Sequence, residues 1–346
     1  MKRSVLIIGN FLSGAGGSRG VCEELAERLA TDGWQVLTTS RKRPKLFRLA
    51  DMVLTAVKHR HEYALGQMDV FSGPAFFWAE AVGWTLRRLG KPYVLTLHGG
   101  NLPEFAKRWP GRVRRLLNSA KIVTAPSRYL KERMEHYCPG IRVLPNAIDL
   151  SLYPYRERGP VRPKLIWLRA FHEMYNPVMA IKVVKELAPK YPEVQLTMVG
   201  PDKGDGSLQR TQRAVAAAGL GDRVRFLGSV PKSEVPAVLS RADIFLNTTH
   251  IDNTPVSVIE AMACGLCIVT TNVGGIPFLV EDGESGLLVE RGDASSMAAA
   301  VSRCLQDQQF AQHCSRNARR TVEPMDWPKV LAEWDRLFRS VLQQTV

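Results

Sequence analysis

Short apolar runs alternate with longer segments of helical periodicity along most of the chain. Runs of four or five apolar residues predict buried strands, and the segments between them predict helices on both faces of a parallel sheet. In the first half the predicted strands are Val5–Gly9, Gln35–Thr38, Val94–Leu97 and Ile122–Ala125, and the predicted helices are Val21–Ala30, Phe76–Leu89 and Arg128–His136.

The alternation starts again after Tyr153–Lys164, a segment rich in proline and charge that predicts a linker. We therefore predict an α/β protein of two Rossmann-like doubly wound domains facing a central cleft, the usual ligand site of such folds. The strands predicted for the second domain are Leu165–Leu168, Gln195–Val199, Val224–Leu227, Ile244–Asn247 and Cys267–Thr271, and the helices are Pro177–Lys190, Leu208–Ala218, Glu234–Arg241, Val256–Ala263 and Ala294–Leu305.

The predicted domain boundaries follow from this pattern. Residues 1–152 form the first domain, 153–164 the linker and 165–322 the second domain. Residues 323–346 contain a last helix, because the apolar residues of Trp327–Leu342 recur at helical spacing on one face.

Length and composition fit a cytoplasmic protein. With 346 residues, 45% of them hydrophobic and 23% charged, the chain can form two domains with their own cores. Its first residues include too few consecutive apolar ones for a signal peptide, and no stretch reaches the roughly 20 that a membrane span needs. Cys264 and Cys267 form an isolated C-x-x-C pair, which predicts buried packing residues rather than a zinc or redox site.

Positive charge is concentrated in the first half. The net charge of +14 divides into +13 for residues 1–158 and +1 for residues 159–346. The basic clusters Arg41–Arg48 and Lys107–Arg115 include aromatic rings, which suit the headgroup level of a membrane. We predict peripheral attachment to the inner face of an anionic membrane, with a solvated surface as the alternative. No zinc finger, RNP motif or helix-turn-helix signal accompanies the charge, so we expect no nucleic-acid partner.

A glycine-rich loop, residues 9–20, follows the first predicted strand. Its glycines would let backbone N–H groups approach an anion. The loop lacks the Gly-Lys-Ser/Thr of a P-loop and the third glycine of the dinucleotide fingerprint, and the second predicted strand is followed by no acidic residue. An NADP site stays open at this point.

A pair of carboxylates brackets a predicted helix start in the second half. Asp252 precedes the helix, Pro255 suits its first turn, and Glu260 lies eight residues after Asp252. The unpaired N–H groups of the first turn would face a diphosphate, and Glu260 could accept hydrogen bonds from a ribose diol. The alternative is a capped helix whose carboxylates are surface charges.

These residues resemble the donor-binding core of the family-four retaining glycosyltransferases, a group 1 family with the GT-B fold. The family's Glu-x7-Glu and E-A-M-A-x-G signature appear here as Asp252-x7-Glu260 and Glu260–Gly265. The resemblance covers nearly the whole chain, and the other matching segments are Tyr93–Gly100, Thr124–Ser127, Val143–Asp149, Val273–Pro277 and Glu281–Val289.

The resemblance implies a retaining, metal-independent enzyme that moves a sugar from a UDP- or GDP-sugar to a glycan or lipid-linked acceptor, in cell-surface polysaccharide biosynthesis. The nucleotide sugar would be a co-substrate, and no cofactor is expected. Arg169 would clamp the leaving phosphate, Asp252 would bind the transferred sugar and Glu260 the donor ribose. The resemblance also places the diphosphate against the backbone of Asn253, Thr254, Pro255 and Val256, and the acceptor side near His98, Gly99, Asn101, Gly16 and Gly17, with His98 beside the reacting sugar. It further implies that the last helix packs back on the first domain.

Three positions depart from the family pattern. Asp252 is one methylene shorter than the usual glutamate, and Ala147 stands after Asn146 where glycine is usual. Tyr175 stands in place of the family's lysine, which removes a positive charge from the phosphate site, and Lys203 is the candidate to replace it.

Two other functions remain open from the sequence, because fold alone does not fix chemistry. One is a nucleotide-sugar epimerase on the same scaffold, and the other is a catalytically silent basic binding protein. A silent binder would gain no thermal stability from UDP or GDP, whereas an epimerase would change the donor without an acceptor.

Overall fold

The structure, a computed structural model, describes residues 3–12 and 20–344. Within these residues the chain forms two compact units, one of Met1–Ala147 with Trp327–Val346 and the other of Ile148–Asp326. Each unit contains a six-stranded parallel sheet in the part of the chain described. Helices cover both faces of each sheet, so the predicted class, two doubly wound α/β domains, is confirmed.

The first sheet has the strand order β2-β1-β3-β4-β5-β6. The chain therefore crosses from β1 to β2 in one direction and from β2 to β3 and onward in the other, which places helices on both faces. The strands are β1 Ser4–Ile8, β2 Gln35–Thr39, β3 Leu65–Val70, β4 Tyr93–Leu97, β5 Ile122–Ala125 and β6 Arg142–Val143, and the helices before residue 148 are α1 Val21–Thr31, α2 Lys45–Lys58, α3 Pro74–Arg88, α4 Leu102–Arg108, α5 Pro110–Leu117 and α6 Arg128–Met134.

The second sheet has the strand order β12-β11-β10-β7-β8-β9. Its direction of winding reverses between β10 and β7, and ligands of doubly wound folds bind at the carboxyl ends of the strands beside such a reversal. The strands are β7 Lys164–Leu168, β8 Gln195–Val199, β9 Val224–Gly228, β10 Ile244–Asn247, β11 Cys267–Thr271 and β12 Leu287–Val289, and the helices are α7 Pro177–Leu187, α8 Ser207–Ala217, α9 Val235–Ser240, α10 Val256–Ala263, α11 Ala294–Gln306 and α12 Gln308–Val322.

The last helix, α13 Trp327–Gln343, belongs to the first unit. Its apolar face packs with α1 against one side of the first sheet, and the ring of Phe338 meets that of Trp34 edge-on at 5.4 Å. The Trp34 indole N–H donates a hydrogen bond to Asp335 (3.0 Å), and that of Trp327 donates to Glu24 (2.7 Å). The helix is thus held in place by burial of its apolar face and by two indole hydrogen bonds.

The segment predicted to be a linker, residues 153–164, is instead part of the second unit. Its Arg158 is 1% exposed, donates to the carbonyl oxygens of Cys264 (3.1 Å) and Ala242 (3.0 Å), and lies 3.2 Å from the carboxylate of Asp243. Burial lowers the pKa of Arg158 to about 10. The proline- and charge-rich composition suggested a solvated segment, but its charge neutralises a buried aspartate. The chain passes between the units at 147/148 and 326/327, not at the predicted 152 and 323.

Cys264 and Cys267 are buried thiols that form no disulfide, which confirms their predicted packing role. Burial raises the pKa of the Cys264 thiol to about 11, so it stays protonated at neutral pH.

Candidate functional site

The loop before α10 is held by two glycines. The N–H of Gly275 donates to the carbonyl oxygen of Asp252 at 2.9 Å. A Cβ on Gly274 would overlap that carbonyl, and one on Gly275 would overlap the carbonyl of Asn253. Gly274 also has a φ of +56°, which favours glycine. The glycine pair of Val273–Pro277 thus lets the Asp252 loop approach closely and fixes it in place.

The amino end of α10 is chemically suited to an anion. Pro255, the residue at its N-cap, has no side-chain acceptor to offer to the first-turn N–H groups. The hydroxyl oxygen of Ser257, in that first turn, is buried and has no hydrogen-bond partner among the described residues. The positive end of the helix dipole adds to these donors.

Glu260 lies one turn further along α10 and its side chain is 4% exposed. Its Oε1 accepts a hydrogen bond from the hydroxyl of Tyr153 at 2.7 Å and forms an ion pair with Lys232. A buried carboxylate with both a donor and a cation is a strong acceptor in a fixed orientation. The alternative of a surface charge therefore does not apply to Glu260.

Lys232 and Tyr153 were not singled out from the sequence. Lys232 lies in the short turn after β9, and the carboxyl ends of parallel strands meet at one edge of a sheet. Its position after the predicted strand Val224–Leu227 was therefore sufficient to suggest that Lys232 lies at the site. Tyr153 carried no such signal, because it lies in the segment predicted to be a linker.

Arg169 follows β7 directly, forms an ion pair with Asp252, and stacks on the ring of Tyr175 at 4.2 Å from guanidinium carbon to ring centroid. The side chains of Arg169 and Asp252 are 14% and 16% exposed. Burial lowers the pKa of Arg169, and the nearby Tyr175 and Glu260 oppose that shift. Within the described residues the Arg169 Nε is buried without a hydrogen-bond partner. Tyr175, which replaces the family lysine, thus orients the arginine.

The structure does not bring Lys203 to these groups. Its side chain is exposed and has no hydrogen bond or ion pair with any residue in the ranges described, while its backbone N–H donates to Phe171 (3.2 Å). The lysine that contacts the predicted site residues is Lys232, through Glu260.

His98 lies at the carboxyl end of β4 in the first unit. Its backbone N–H donates to Val70 (2.8 Å), its Nε2 lies 3.2 Å from Oδ1 of Asp69, and its ring stacks on Phe71 with centroids 5.1 Å apart. These contacts fix both the position and the ring plane of the histidine.

Asp69 is held by a buried polar network on β3. Gln67 donates through Nε2 to Asp69 (3.0 Å) and to the hydroxyl of Thr96 (2.9 Å). Burial alone would raise the pKa of Asp69, but the charge of His98 and hydrogen bonds from His98 and Gln67 outweigh it and lower the pKa. Because Gln67 and Asp69 are polar, β3 has no continuous apolar run, and it was not predicted from the sequence.

The remaining residues predicted for the acceptor side either follow His98 closely along the chain or lie outside the described residues. Gly99 has a φ of +85° and turns the chain after His98. Asn101 is the N-cap residue of α4 and is exposed. Gly16 and Gly17 lie outside the described residues.

In residues 3–12 and 20–344, no three His, Cys, Asp or Glu side chains are grouped as a metal-ligand set. No helix in these residues is both long enough and apolar enough to cross a bilayer.

Two family models match the chain in succession. The model for Glycosyltransferase Family 4 matches residues 15–152, and that for Glycosyl transferases group 1 matches residues 158–321. The chain belongs to the group 1 glycosyltransferases. The resemblance predicted from the sequence is confirmed, and with it the GT-B fold of the group 1 enzymes.

Several known proteins are similar to much of this chain. The D-inositol 3-phosphate glycosyltransferase of Corynebacterium jeikeium is 30% identical over 67% of this chain, which spans only 63% of that relative. The GDP-mannose-dependent alpha-(1-6)-phosphatidylinositol monomannoside mannosyltransferase of Mycolicibacterium smegmatis is 26% identical over 82% of this chain and 78% of its own. The Anabaena protein HepE, solved with UDP-glucose, shares the fold with a TM-score of 0.77 at 19% identity, over 97% of this chain and 99% of its own.

Proposed function

We propose that this protein is a retaining glycosyltransferase that moves a sugar from a UDP- or GDP-sugar to a glycan or lipid-linked acceptor. One observation carries the proposal: Arg169 forms an ion pair with Asp252, in the loop before α10, and the buried carboxylate of Glu260, one turn into α10, interacts with the charge of Arg169 and forms an ion pair with Lys232. The relatives named above, one GDP-mannose-dependent and another solved with UDP-glucose, support a nucleotide-sugar donor.

Departure of a nucleoside diphosphate leaves negative charge on the phosphate oxygens as the glycosidic bond breaks. Arg169 and the first-turn N–H groups of α10 are suited to stabilise that charge, because they are already oriented before the bond breaks. We propose that they and Lys232 take the place of a metal ion. The diphosphate would compete with Asp252 for Arg169, and the released Asp252 carboxylate would bind a hydroxyl of the transferred sugar.

Glu260 would bind the donor ribose. Tyr153 and Lys232 both contact its Oε1, which leaves Oε2 to accept a hydrogen bond from a ribose hydroxyl. Because the carboxylate is buried and already oriented, little side-chain entropy is lost when the ribose binds.

On the acceptor side, we propose that His98 lies beside the reacting sugar, with Gly99 and Asn101 in the adjoining turn. The proposal includes retention of the anomeric configuration, a role in cell-surface polysaccharide biosynthesis, and work at the inner face of an anionic membrane, to which the basic first half of the chain is attracted.

The test begins with a panel of UDP- and GDP-sugars scored by thermal shift, followed by transfer to candidate acceptors with the product anomer read by NMR. Arg169→Ala should lose about a hundredfold or more in turnover, the usual effect of removing one charge-stabilising donor. The control is Arg316→Ala, whose exposed guanidinium pairs only with Glu157 (2.7 Å) among the described residues. Inversion at the anomeric carbon, donor epimerisation without acceptor, or near-normal turnover in Arg169→Ala would overturn the proposal.

A further inference from the structure

Helix α2 is apolar on its solvent-facing side. Leu46, Leu54 and Val57 are 83%, 66% and 39% exposed, and together with the exposed Ala50 they recur at spacings of four, four and three residues. These spacings place them in one stripe along the helix. Phe47, 69% exposed, lies beside the stripe. The opposite side of α2 is buried and includes Met52 and Ala56 beside Arg48, so this helix carries apolar residues on both its buried and its exposed side.

Helix α3 repeats the feature. Phe77 and Trp84, each 55% exposed, are seven residues apart and so lie two turns apart on the same side. Helices α2 and α3 pack next to each other on the same face of the first sheet, so their stripes belong to one surface. We call this surface, Leu46, Phe47, Leu54, Phe77 and Trp84, the apolar face. Single exposed apolar residues are ordinary, but stripes on two adjacent helices indicate an interaction surface.

Cations border the apolar face, and the acids that α2 and α3 contribute are each held by another residue. Lys45 and Lys58 lie at the two ends of α2, and the guanidinium of Arg88, at the end of α3, lies 5.3 Å from the ring centroid of Trp84. The single acid of α2, Asp51, accepts a hydrogen bond from Thr39 (3.3 Å), and the single acid of α3, Glu80, is paired with Arg112. The apolar face therefore presents aromatic and aliphatic side chains with positive charge at its border.

We propose that the apolar face docks on an anionic lipid bilayer, with its rings and leucines in the interfacial layer and the bordering cations on lipid phosphates. A protein partner is less suited, because the cores of protein interfaces are depleted of lysine and their borders carry both signs of charge. Aromatic and leucine side chains inside a lysine and arginine border are typical of interfacial helices. The inference rests on the proposed function only for the lipid-linked acceptor that such docking would reach.

The test is sedimentation of the full chain with vesicles of phosphatidylcholine alone or mixed with phosphatidylglycerol. The unmodified protein should pellet with the mixed vesicles, lose binding about tenfold or more between low and high salt, and not pellet with phosphatidylcholine alone. Trp84 is one of seven tryptophans, so its fluorescence is measured as the difference between the parent and Trp84→Phe, and this difference spectrum should shift to shorter wavelength on binding.

The apolar contribution is tested by Leu54→Glu combined with Trp84→Glu, both at exposed positions where folding should tolerate the change. Binding to the mixed vesicles should fall at least tenfold. Leu152→Glu, at a 57% exposed leucine in the other unit, is the matched control and should bind as the parent does. The combined variant should keep its thermal shift with UDP or GDP, which separates loss of docking from loss of donor binding.

Three outcomes would overturn the inference: no pelleting with the mixed vesicles, equal pelleting with both kinds of vesicle, or parent-like pelleting of the combined variant. A fourth is a parent protein that is dimeric at low salt and a combined variant that is monomeric with unchanged vesicle binding, which would assign the apolar face to a second copy of the chain.

Discussion

The Nε2 atom of His98 lies 3.2 Å from Oδ1 of Asp69, and the two side chains are 12% and 7% exposed. Asp69 and His98 come from adjacent parallel strands that end at the same edge of the first sheet. A buried carboxylate on an imidazole nitrogen fixes the tautomer and orientation of the ring. Asp69 is thus a positioning residue for the histidine proposed to face the reacting sugar.

Replacing Asp69 by asparagine should therefore lower turnover while leaving the donor affinity intact. The amide keeps the size of the side chain but loses the charge that holds His98, and we expect a loss of about tenfold or more in kcat. The measurement is steady-state kinetics together with UDP or GDP titration, with Asp32→Asn at the exposed end of α1 as the control. If kcat stayed the same, or if donor affinity fell by the same factor, the positioning role would be wrong.

The same pair predicts a pH dependence of stability. The pKa of Asp69 is lowered in the folded protein, so the folded state favours the carboxylate. Its contribution to the free energy of unfolding is complete above the unfolded pKa of about 3.9 and is lost as the pH falls through the lower folded pKa. Denaturant titrations should show the parent more stable than Asp69→Asn at pH 6, with the difference narrowing below about pH 4. A difference independent of pH would contradict this assignment.

Glu260→Gln tests the donor ribose. The amide loses the ion pair with Lys232 and weakens the acceptor offered to the ribose; a hydrogen bond to a charged group contributes about 1.5–3 kcal/mol. Dissociation constants for UDP or GDP should therefore rise about ten- to a hundredfold by calorimetry. The control is Glu186→Gln, an exposed carboxylate that accepts from Ser295 (2.9 Å). If Glu260→Gln bound UDP or GDP with the affinity of the parent, Glu260 would not be the residue that binds the ribose.

Tyr175 offers a separable test of how Arg169 is oriented. Tyr175→Leu removes the ring that lies 4.2 Å from the guanidinium, whereas Tyr175→Phe keeps it. Since partly desolvated cation–π contacts contribute about 1–2 kcal/mol, donor affinity should fall about fivefold or more in the leucine variant and little in the phenylalanine variant. Equal losses in the two variants would assign the effect to the hydroxyl instead of the ring.

The sequence predicted most of the second sheet and its motif, because those strands are continuous apolar runs and the Asp252–Gly265 spacing is specific. It did not predict β3, in which Gln67 and Asp69 interrupt the apolar pattern to form a buried network. Nor did it predict α2, whose first residues, Lys45–Arg48, were interpreted only as part of the basic cluster Arg41–Arg48.

Site residues that depend on tertiary contacts also escaped prediction. Lys203 was the expected replacement for the family lysine because it follows a predicted strand in a Gly-Pro-Asp-Lys turn. The structure leaves its side chain exposed and pairs Lys232, from a different strand end, with Glu260. The spacing along the chain does not show which of two lysines on neighbouring loops contacts Glu260, because that contact depends on the three-dimensional path of each loop.

The most direct measurement of the central claim is a crystal structure of the protein with UDP or GDP, whichever gives the larger thermal shift. We predict the diphosphate at the backbone N–H groups of Asn253–Val256, with Arg169 turned from Asp252 to the phosphate and the ribose hydroxyls on Glu260. A nucleotide bound elsewhere, with the ion pair of Arg169 and Asp252 intact and the amino end of α10 vacant, would contradict it.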